Sequence, residues 1–385
     1  MMPSPRILFV SHTGQISGAE MVLLDIVGQW PGAAAFLFED GPFRDALSRR
    51  GLDVKVSKWG NGIGQVRRDS SLREVLPRVG RFCAILFELL GVARKHDLVY
   101  ANSQKAFVLS ALLAFVVRRP LVWHLHDIIS AEHFGALQRR LQITLANLSA
   151  TRVVVPSQAV AAAFVAEGGR PGLVEVVANG LDIEPEIATP AELRDQLGLP
   201  QGKLIGVFSR LAHWKGQHVV LGALAETPGV GCIFAGDALF GEQSYADNLA
   251  RMVEELGLKD RVRFLGQRAD VPRLMRAVDI VVHPSIDPEP FGRTLVEAML
   301  AGVPVIGTDA GAASEILEGG KAGLLVPPRN PEALARAIEA TLASPDGLKE
   351  RIAHAMQRAR ALYSRAGMVD GVGRVVGSVA NGVRA

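Results

Sequence analysis

Short apolar runs alternate along this chain with longer stretches of helical period. One series of runs falls at 7–10, 34–38, 54–56, 98–100, 121–125, 153–155 and 174–177, with helical patterns at 19–27, 106–117, 137–148 and 158–167. A second series falls at 204–208, 232–235, 262–265, 280–283, 303–306 and 324–326, with helical patterns at 215–225, 245–256, 271–277, 294–301 and 331–342. Strands that read as continuous apolar runs are buried on both faces, and their alternation with helices predicts parallel α/β sheets. Gly and Pro break both periods in Asn179-Gly180-Leu181-Asp182-Ile183-Glu184-Pro185 and again at Thr189-Pro190, which places a boundary there. The expected organisation is a first domain at 1–180, a second at 181–365, and a last helix at 366–385 that packs back on the first. The tail from 348 reads as helices interrupted at 364–367. Each domain is expected to be a doubly wound sheet. Such sheets bind ligands at the carboxyl ends of their strands, so two facing sheets make one cleft.

Composition narrows the function classes. The 385 residues are 49% hydrophobic and 21% charged, which excludes a disordered chain. The apolar stretch 106–117, interrupted by Ser110, falls short of the roughly 18–20 residues of a membrane span. Residues 1–10 carry no small-residue cleavage pattern, so no signal peptide is expected. Cys83 and Cys232 are the only cysteines, which rules out a disulfide scaffold and zinc-ligand spacing and fits a reducing cytoplasm. Net charge is 42 − 39 = +3, but residues 1–152 hold 19 − 12 = +7 and residues 153–385 hold 23 − 27 = −4. The basic pairs Arg49-Arg50, Arg67-Arg68, Arg94-Lys95, Arg118-Arg119 and Arg139-Arg140 suit an anionic membrane face or a phosphate-bearing acceptor, with a plain solvated surface as the alternative. Without interleaved aromatics or a recognition-helix pattern, nucleic acid is disfavoured.

The richest segment for chemistry is 287–306, Asp-Pro-Glu-Pro-Phe-Gly-Arg-Thr-Leu-Val-Glu-Ala-Met-Leu-Ala-Gly-Val-Pro-Val-Ile. It follows the run 280–283 and opens a helix near Gly292, whose free amides make an anion site. Glu289 precedes that helix and Glu297 lies two turns along it. Carboxylates repel a phosphate, so these two suit sugar hydroxyls; in isolation they read as solvated acids. Arg210 and Lys215 follow the run 204–208, where two cations beside free amides neutralise a departing diphosphate. Gly18 lets backbone approach a phosphate at a helix start. His126 follows the run 121–125 and is expected at the mouth of the cleft, while His124 and Asp127 orient the strand end and His213 and His283 read as structural.

The segment 287–306 resembles the E-x7-E signature of retaining GT-B glycosyltransferases, in particular family 4, the glycosyl transferases group 1. Three further segments match that family in order: Ser17-Gly18-Ala19-Glu20, where the family usually has Gly-Gly-Ala-Glu; Trp123-His124-Leu125-His126-Asp127; and Ser209-Arg210-Leu211-Ala212-His213-Trp214-Lys215-Gly216. The resemblance implies two facing Rossmann-like domains and transfer of a hexosyl unit, with retention, from a UDP-, GDP- or ADP-sugar to a hydroxyl of a glycan, lipid-linked saccharide or related glycoconjugate. It implies catalysis by Glu289, His126, Arg210 and Lys215, and donor contacts from Gly18, Arg210, Lys215, Phe291, Gly292, Thr294, Leu295 and Glu297. No Asp-x-Asp occurs, so no metal and no cofactor are expected. A nucleotide-sugar epimerase of the same fold and a non-catalytic sugar-nucleotide-binding subunit are the alternatives. The expected location is the cytoplasm, with the basic first domain against an anionic inner membrane face and the Arg-flanked segment 81–94 dipping in as an interfacial helix; an ordinary core helix is the other reading of that segment.

Overall fold

The structure is a computed structural model, and it describes residues 5–60, 79–239, 241–344 and 347–382. The chain divides into two compact units, residues 1–180 with 365–385, and residues 181–364. The Arg67-Arg68 pair lies outside the described residues.

The first unit is a seven-stranded parallel sheet of β1 (Ile7–Ser11), β2 (Ala34–Leu37), β3 (Asp53–Val56), β4 (Leu98–Ala101), β5 (Leu121–His124), β6 (Arg152–Val155) and β7 (Val174–Val176), in the order β3-β2-β1-β4-β5-β6-β7. The chain winds outward in one direction from β1 and in the other from β4, so these neighbours form the switch point where the strand ends splay. One face is covered by α1 (Gly18–Ile26), α2 (Pro42–Ser48) and the last helix of the chain, whose Met368, Val372 and Val376 join Val22, Leu23 and Phe43 in one cluster. The other face is covered by α3 (Val79–Ala93), α4 (Gln104–Val117), α5 (Ala136–Ser149) and α6 (Gln158–Ala166). There Trp123, fully buried, stacks on Phe107 at 3.9 Å between ring centroids and meets Phe164 edge-on.

The second unit contains α7 (Pro190–Leu197), β8 (Lys203–Phe208), α8 (Gln217–Glu226), β9 (Val230–Ala235), α9 (Gln243–Glu255), β10 (Val262–Phe264), α10 (Val271–Ala277), β11 (Ile280–His283), α11 (Arg293–Ala301), β12 (Val305–Thr308), α12 (Ala313–Ile316), β13 (Leu324–Val326), α13 (Pro331–Ala343) and α14 (Leu348–Leu362). Its six strands are parallel, in the order β10-β9-β8-β11-β12-β13, with the switch point between β8 and β11. The chain's last helix is α15 (Arg365–Gly382).

Both sheets are therefore the doubly wound parallel kind that the apolar runs predict. Two local expectations are corrected. The pattern at 215–225 starts its helix too early: His213–Lys215 form a single tight turn, Gly216 follows at φ 72°, and α8 begins at Gln217. Gly216 is required there, because a Cβ would lie 2.0 Å from the Pro284 carbonyl oxygen. The segment 81–94 spends its apolar face on the core, burying Ile85, Leu89 and Ala93 in α3, and Phe87 is its one large apolar side chain counted as exposed. The interfacial reading of that helix gives way to the core reading.

Removing the Trp123 indole opens a large void beside Phe107 and Phe164. Trp123→Ala is expected to cost the first unit about 3–5 kcal/mol, read as a lower midpoint of its unfolding in urea; an unmoved midpoint contradicts this packing account.

Candidate active site

In the second unit the chemistry gathers at the carboxyl ends of β8 and β11. The strand β8 runs into Ser209 and Arg210, and Gln217 at the start of α8, fully buried, fastens that loop. Its Nε2 donates to Ser209 Oγ at 3.0 Å and to the Arg210 carbonyl at 2.7 Å, while its Oε1 accepts from Tyr245 Oη at 3.2 Å. Thr294, in the first turn of α11, donates to the Phe208 carbonyl at 3.0 Å, tying that helix start to the end of β8.

Glu289 lies in the loop between β11 and α11, only 8% exposed. Its Oε2 accepts from Lys215 Nζ at 2.7 Å and Ser285 Oγ at 3.0 Å, with His283 Nε2 at 3.4 Å. Its backbone is held too, since the Ala312 amide donates to the Glu289 carbonyl at 2.9 Å. Burial alone pushes the Glu289 carboxyl up, but the Lys215 charge and His283 more than offset it and hold the carboxyl well below the usual range. The Lys215 ammonium also sits 4.1 Å from the centre of the Trp214 ring, which is a cation–π contact.

The helix start expected at Gly292 is present. Gly292 caps α11 at φ 80° with no side-chain cap, and a Cβ there would press on Leu295 Cδ1 at 3.1 Å. Leu295 is fully buried and its amide donates to the Gly292 carbonyl, so its part is to pack beneath the turn. Phe291 is buried edge-on against Tyr363. Glu297 has its side chain about one-fifth exposed (21%), 3.9 Å from Arg293 on the next turn back. Burial raises its carboxyl pKa and Arg293 only partly counters it, so Glu297 is poised to gain from hydroxyl donors.

The first unit presents a second set at the ends of β1, β4 and β5. Gly18 opens α1, and Ser17 supplies what the missing glycine does not: its amide donates to Glu20 Oε2 at 3.2 Å and its hydroxyl to the same oxygen at 2.5 Å, closing a capping box. His126 follows β5 with its Nε2 3.0 Å from Asn102 Oδ1, and burial lowers its pKa to about 4. His124 pairs with the Tyr100 hydroxyl at 2.8 Å and lies 3.9 Å from His126 between ring centres. Asp127 accepts from Gln104 Nε2 at 3.1 Å. His12, at the end of β1, is likewise lowered to about 4 by burial and by Lys105. Among the described residues its Nδ1 is buried without a hydrogen-bond partner.

In the second unit Lys215 and Glu289 thus meet directly, Thr294 ties the start of α11 to the end of β8, the Arg210 backbone is held in the loop after β8, and Glu297 lies further along α11 beside Arg293. In the first, Gly18 and His126 lie at the carboxyl edge of the sheet, with Asn102 joining His126 to Ala19. Reading the chain missed Gln217, Ser285, Asn102 and His12, and His283, read as structural, touches Glu289. Ser285, His283, Asn102 and His12 lie at or just beyond a strand's carboxyl end, which is the signal that would have found them; Gln217, at the start of α8, carries no such signal.

Residues 191–359 match the model of glycosyl transferases group 1, and residues 42–185 that of glycosyltransferase family 4. Anabaena HepE, solved with UDP and with UDP-glucose, is 38–39% identical, with TM-scores of 0.86 and 0.87, over 97% of this chain and all of that one. This chain is a family 4 glycosyltransferase. A D-inositol 3-phosphate glycosyltransferase of Mycobacterium marinum is 34% identical over 200 residues, 50% of this chain and 42% of that protein. The lipopolysaccharide core mannosyltransferase LpsB of Rhizobium meliloti is 36% identical over 161 residues, 39% and 45% of the two chains. The matches span a little under half the length of these two curated relatives. This chain has the GT-B fold, and its family and relatives support a transferase.

The Lys215–Glu289 pair in the glycosyltransferase makes a pH prediction. Glu289's pKa is depressed in the folded state, so its contribution is fully present above the usual carboxylate range and is lost as pH falls through it toward the folded value. Lys215→Met leaves the carboxylate buried with its main partner gone, at a cost of about 3–5 kcal/mol at pH 7. Acidification from about pH 6 to pH 4 should then destabilise the second unit less in the variant than in the unaltered protein. Equal losses in thermal unfolding at the two pH values contradict the pairing.

Proposed function

We propose that this glycosyltransferase moves a hexosyl unit, with retention of anomeric configuration, from UDP-glucose or a closely related UDP-sugar to a hydroxyl of a glycan or lipid-linked saccharide. The observation that carries the reading is the meeting of Lys215 and Glu289 beside the start of α11 at the ends of β8 and β11, with Arg210 in the loop that follows β8. Near-full-length similarity to HepE, solved with UDP-glucose, supports the donor. Transfer breaks the bond between the anomeric carbon and a diphosphate oxygen, and the diphosphate leaves with the electron pair. Negative charge grows on that oxygen, where Arg210 and Lys215 supply cations and the α11 amides supply donors. The acceptor hydroxyl forms the new bond to the anomeric carbon and gives its proton to the departing diphosphate oxygen. Glu289 accepts hexose hydroxyls and Glu297 the ribose hydroxyls. By the family resemblance, His126 and Gly18 are the first unit's candidates for contact with the donor. The cations take the part a divalent ion plays elsewhere, so no metal is needed.

Incubation with UDP-glucose, GDP-mannose and ADP-glucose, followed by mass analysis, tests this. UDP-glucose should be turned over fastest and EDTA should leave the rate unchanged. Arg210→Ala should lower turnover about 10²–10³-fold, and Glu297→Ala should weaken UDP binding by about 1.5–3 kcal/mol. A strict requirement for magnesium or manganese, or full activity of Arg210→Ala, contradicts the reading.

A cytoplasmic enzyme resting on an anionic membrane is the companion proposal, and the contact face is α4 and α5 rather than α3. Among the described residues no helix is long and apolar enough to cross a membrane. On α4, Leu112, Phe115 and Val116 are 45%, 55% and 59% exposed, and on the adjoining α5, Leu137, Leu141 and Leu148 are 72%, 48% and 62% exposed. Neither helix carries an acid; Lys105, Arg139 and Arg140 lie on them and Arg118 and Arg119 follow α4. An apolar stripe set among cations complements an anionic lipid surface. The protein should co-sediment with vesicles containing phosphatidylglycerol at low salt, and Phe115→Ser with Leu141→Ser should release it. Absence of binding at low salt, or binding indifferent to these substitutions, contradicts this face.

A further inference from the structure

Asn102, at the carboxyl end of β4, is fully buried and uses both ends of its carboxamide. Its Nδ2 donates to the Ala19 carbonyl in the first turn of α1 at 3.2 Å, and its Oδ1 lies 3.0 Å from His126 Nε2. Its amide is anchored by donation to the Val10 carbonyl at 2.9 Å. The carboxamide cannot turn over, because its oxygen would then face the Ala19 carbonyl oxygen, acceptor against acceptor. With Oδ1 aimed at the ring, the hydrogen bond requires a proton on His126 Nε2. A neutral imidazole with Nε2 protonated carries its lone pair on Nδ1.

We propose that Asn102 is a positioning residue that fixes His126 in the Nε2-protonated tautomer and presents Nδ1 as an acceptor for a sugar hydroxyl, while joining that ring to the helix start at Gly18 and Ala19. The inference rests on the reading that His126 meets the donor, and it adds what the ring does there: it takes a hydrogen bond and gives none. The groups facing His126 favour this state. Burial opposes a charged ring, His124 lies tilted beside it, and Asp127, next in the chain, is the carboxylate that opposes them. Asp127 in turn shares its surroundings with His12 and Lys105. The link joins residues 24 apart in sequence, on the neighbouring strand ends of β4 and β5.

The test reads the tautomer itself. In protein labelled with ¹⁵N-histidine, long-range ¹H–¹⁵N correlation at neutral pH should show the His126 ring, assigned by its loss in His126→Gln, with the proton on Nε2. In Asn102→Leu the ring should become a mixture of tautomers. Asn102→Asp keeps the shape and places a carboxylate against the ring, which raises the His126 pKa. The protonated ring has no acceptor nitrogen, so kcat should fall about tenfold at neutral pH and recover as pH rises, with the KM for donor little changed and the unaltered enzyme flat over the same range. A proton on Nδ1 in the unaltered protein, or an unchanged tautomer in Asn102→Leu, overturns the proposal. Full activity of His126→Gln would instead overturn the donor contact of His126 while leaving the tautomer measurement to decide the role of Asn102.

Discussion

The second unit is organised around one buried ion pair. Lys215 and Glu289 stand 2.7 Å apart with side chains 12% and 11% exposed, 74 residues apart in sequence. Two charges removed from water cost more than a well-packed apolar pair of the same size, so a pair like this is weak evidence for stability and invites a functional explanation. The carboxylate is further held by Ser285 and His283, and the ammonium by the face of Trp214. A ligand carrying both a diphosphate and sugar hydroxyls offers each partner a substitute, an anion for Lys215 and donors for Glu289. Paired with each other, neither Lys215 nor Glu289 is left as an unpaired buried charge.

Everything near the pair limits its freedom. Gln217 clamps the Ser209–Arg210 loop, Gly216 allows the chain to pass against Pro284, Thr294 ties α11 to the end of β8, and the Ala312 amide holds the Glu289 backbone. Apart from the steric fit at Gly216, these are hydrogen bonds, each worth about 0.5–1.5 kcal/mol. Their shared effect is to place a cation, a carboxylate and a helix start with little left to reorganise on binding, which is where preorganised electrostatics draw their advantage. The first unit uses the same economy: the Ser17–Glu20 capping box and the Asn102 bridge fix a helix start and a histidine with short polar links.

Much of the fold is legible in the chain because central parallel strands are buried on both faces. Runs such as 280–283 and 204–208 admit no other reading once helical periods separate them. Helix starts are harder. Nothing local at 215–225 reveals that Gly216 must take a left-handed conformation against Pro284, because the obstacle comes from another strand. The segment 81–94 shows the same limit: its pattern marks an amphipathic helix, but only tertiary packing says whether the apolar side meets lipid or Val99 and Leu121. For the site, the residue types and order of Arg210, Lys215, Glu289 and Glu297 are plain, whereas the pairing of Lys215 with Glu289 is a long-range contact. Gln217 and Asn102 escape notice because each reads as an ordinary polar residue beside an apolar run until its partners are known. Ser17 looks like a departure from the family pattern, and its hydrogen bonds to Glu20 explain how the helix start survives it.

We propose that the Lys215–Glu289 pair marks a diphosphate site in which the ligand's phosphates take over Lys215. Calorimetric titration of UDP into the unaltered protein, Lys215→Met, Glu289→Gln and the double variant addresses it most directly. Lys215→Met should weaken UDP binding about tenfold or more, as expected for loss of a charge-assisted hydrogen bond. Glu289→Gln, which frees the ammonium, should bind UDP at least as tightly as the unaltered protein, and the double variant should match Lys215→Met. Loss of UDP affinity in Glu289→Gln as large as that in Lys215→Met would contradict it.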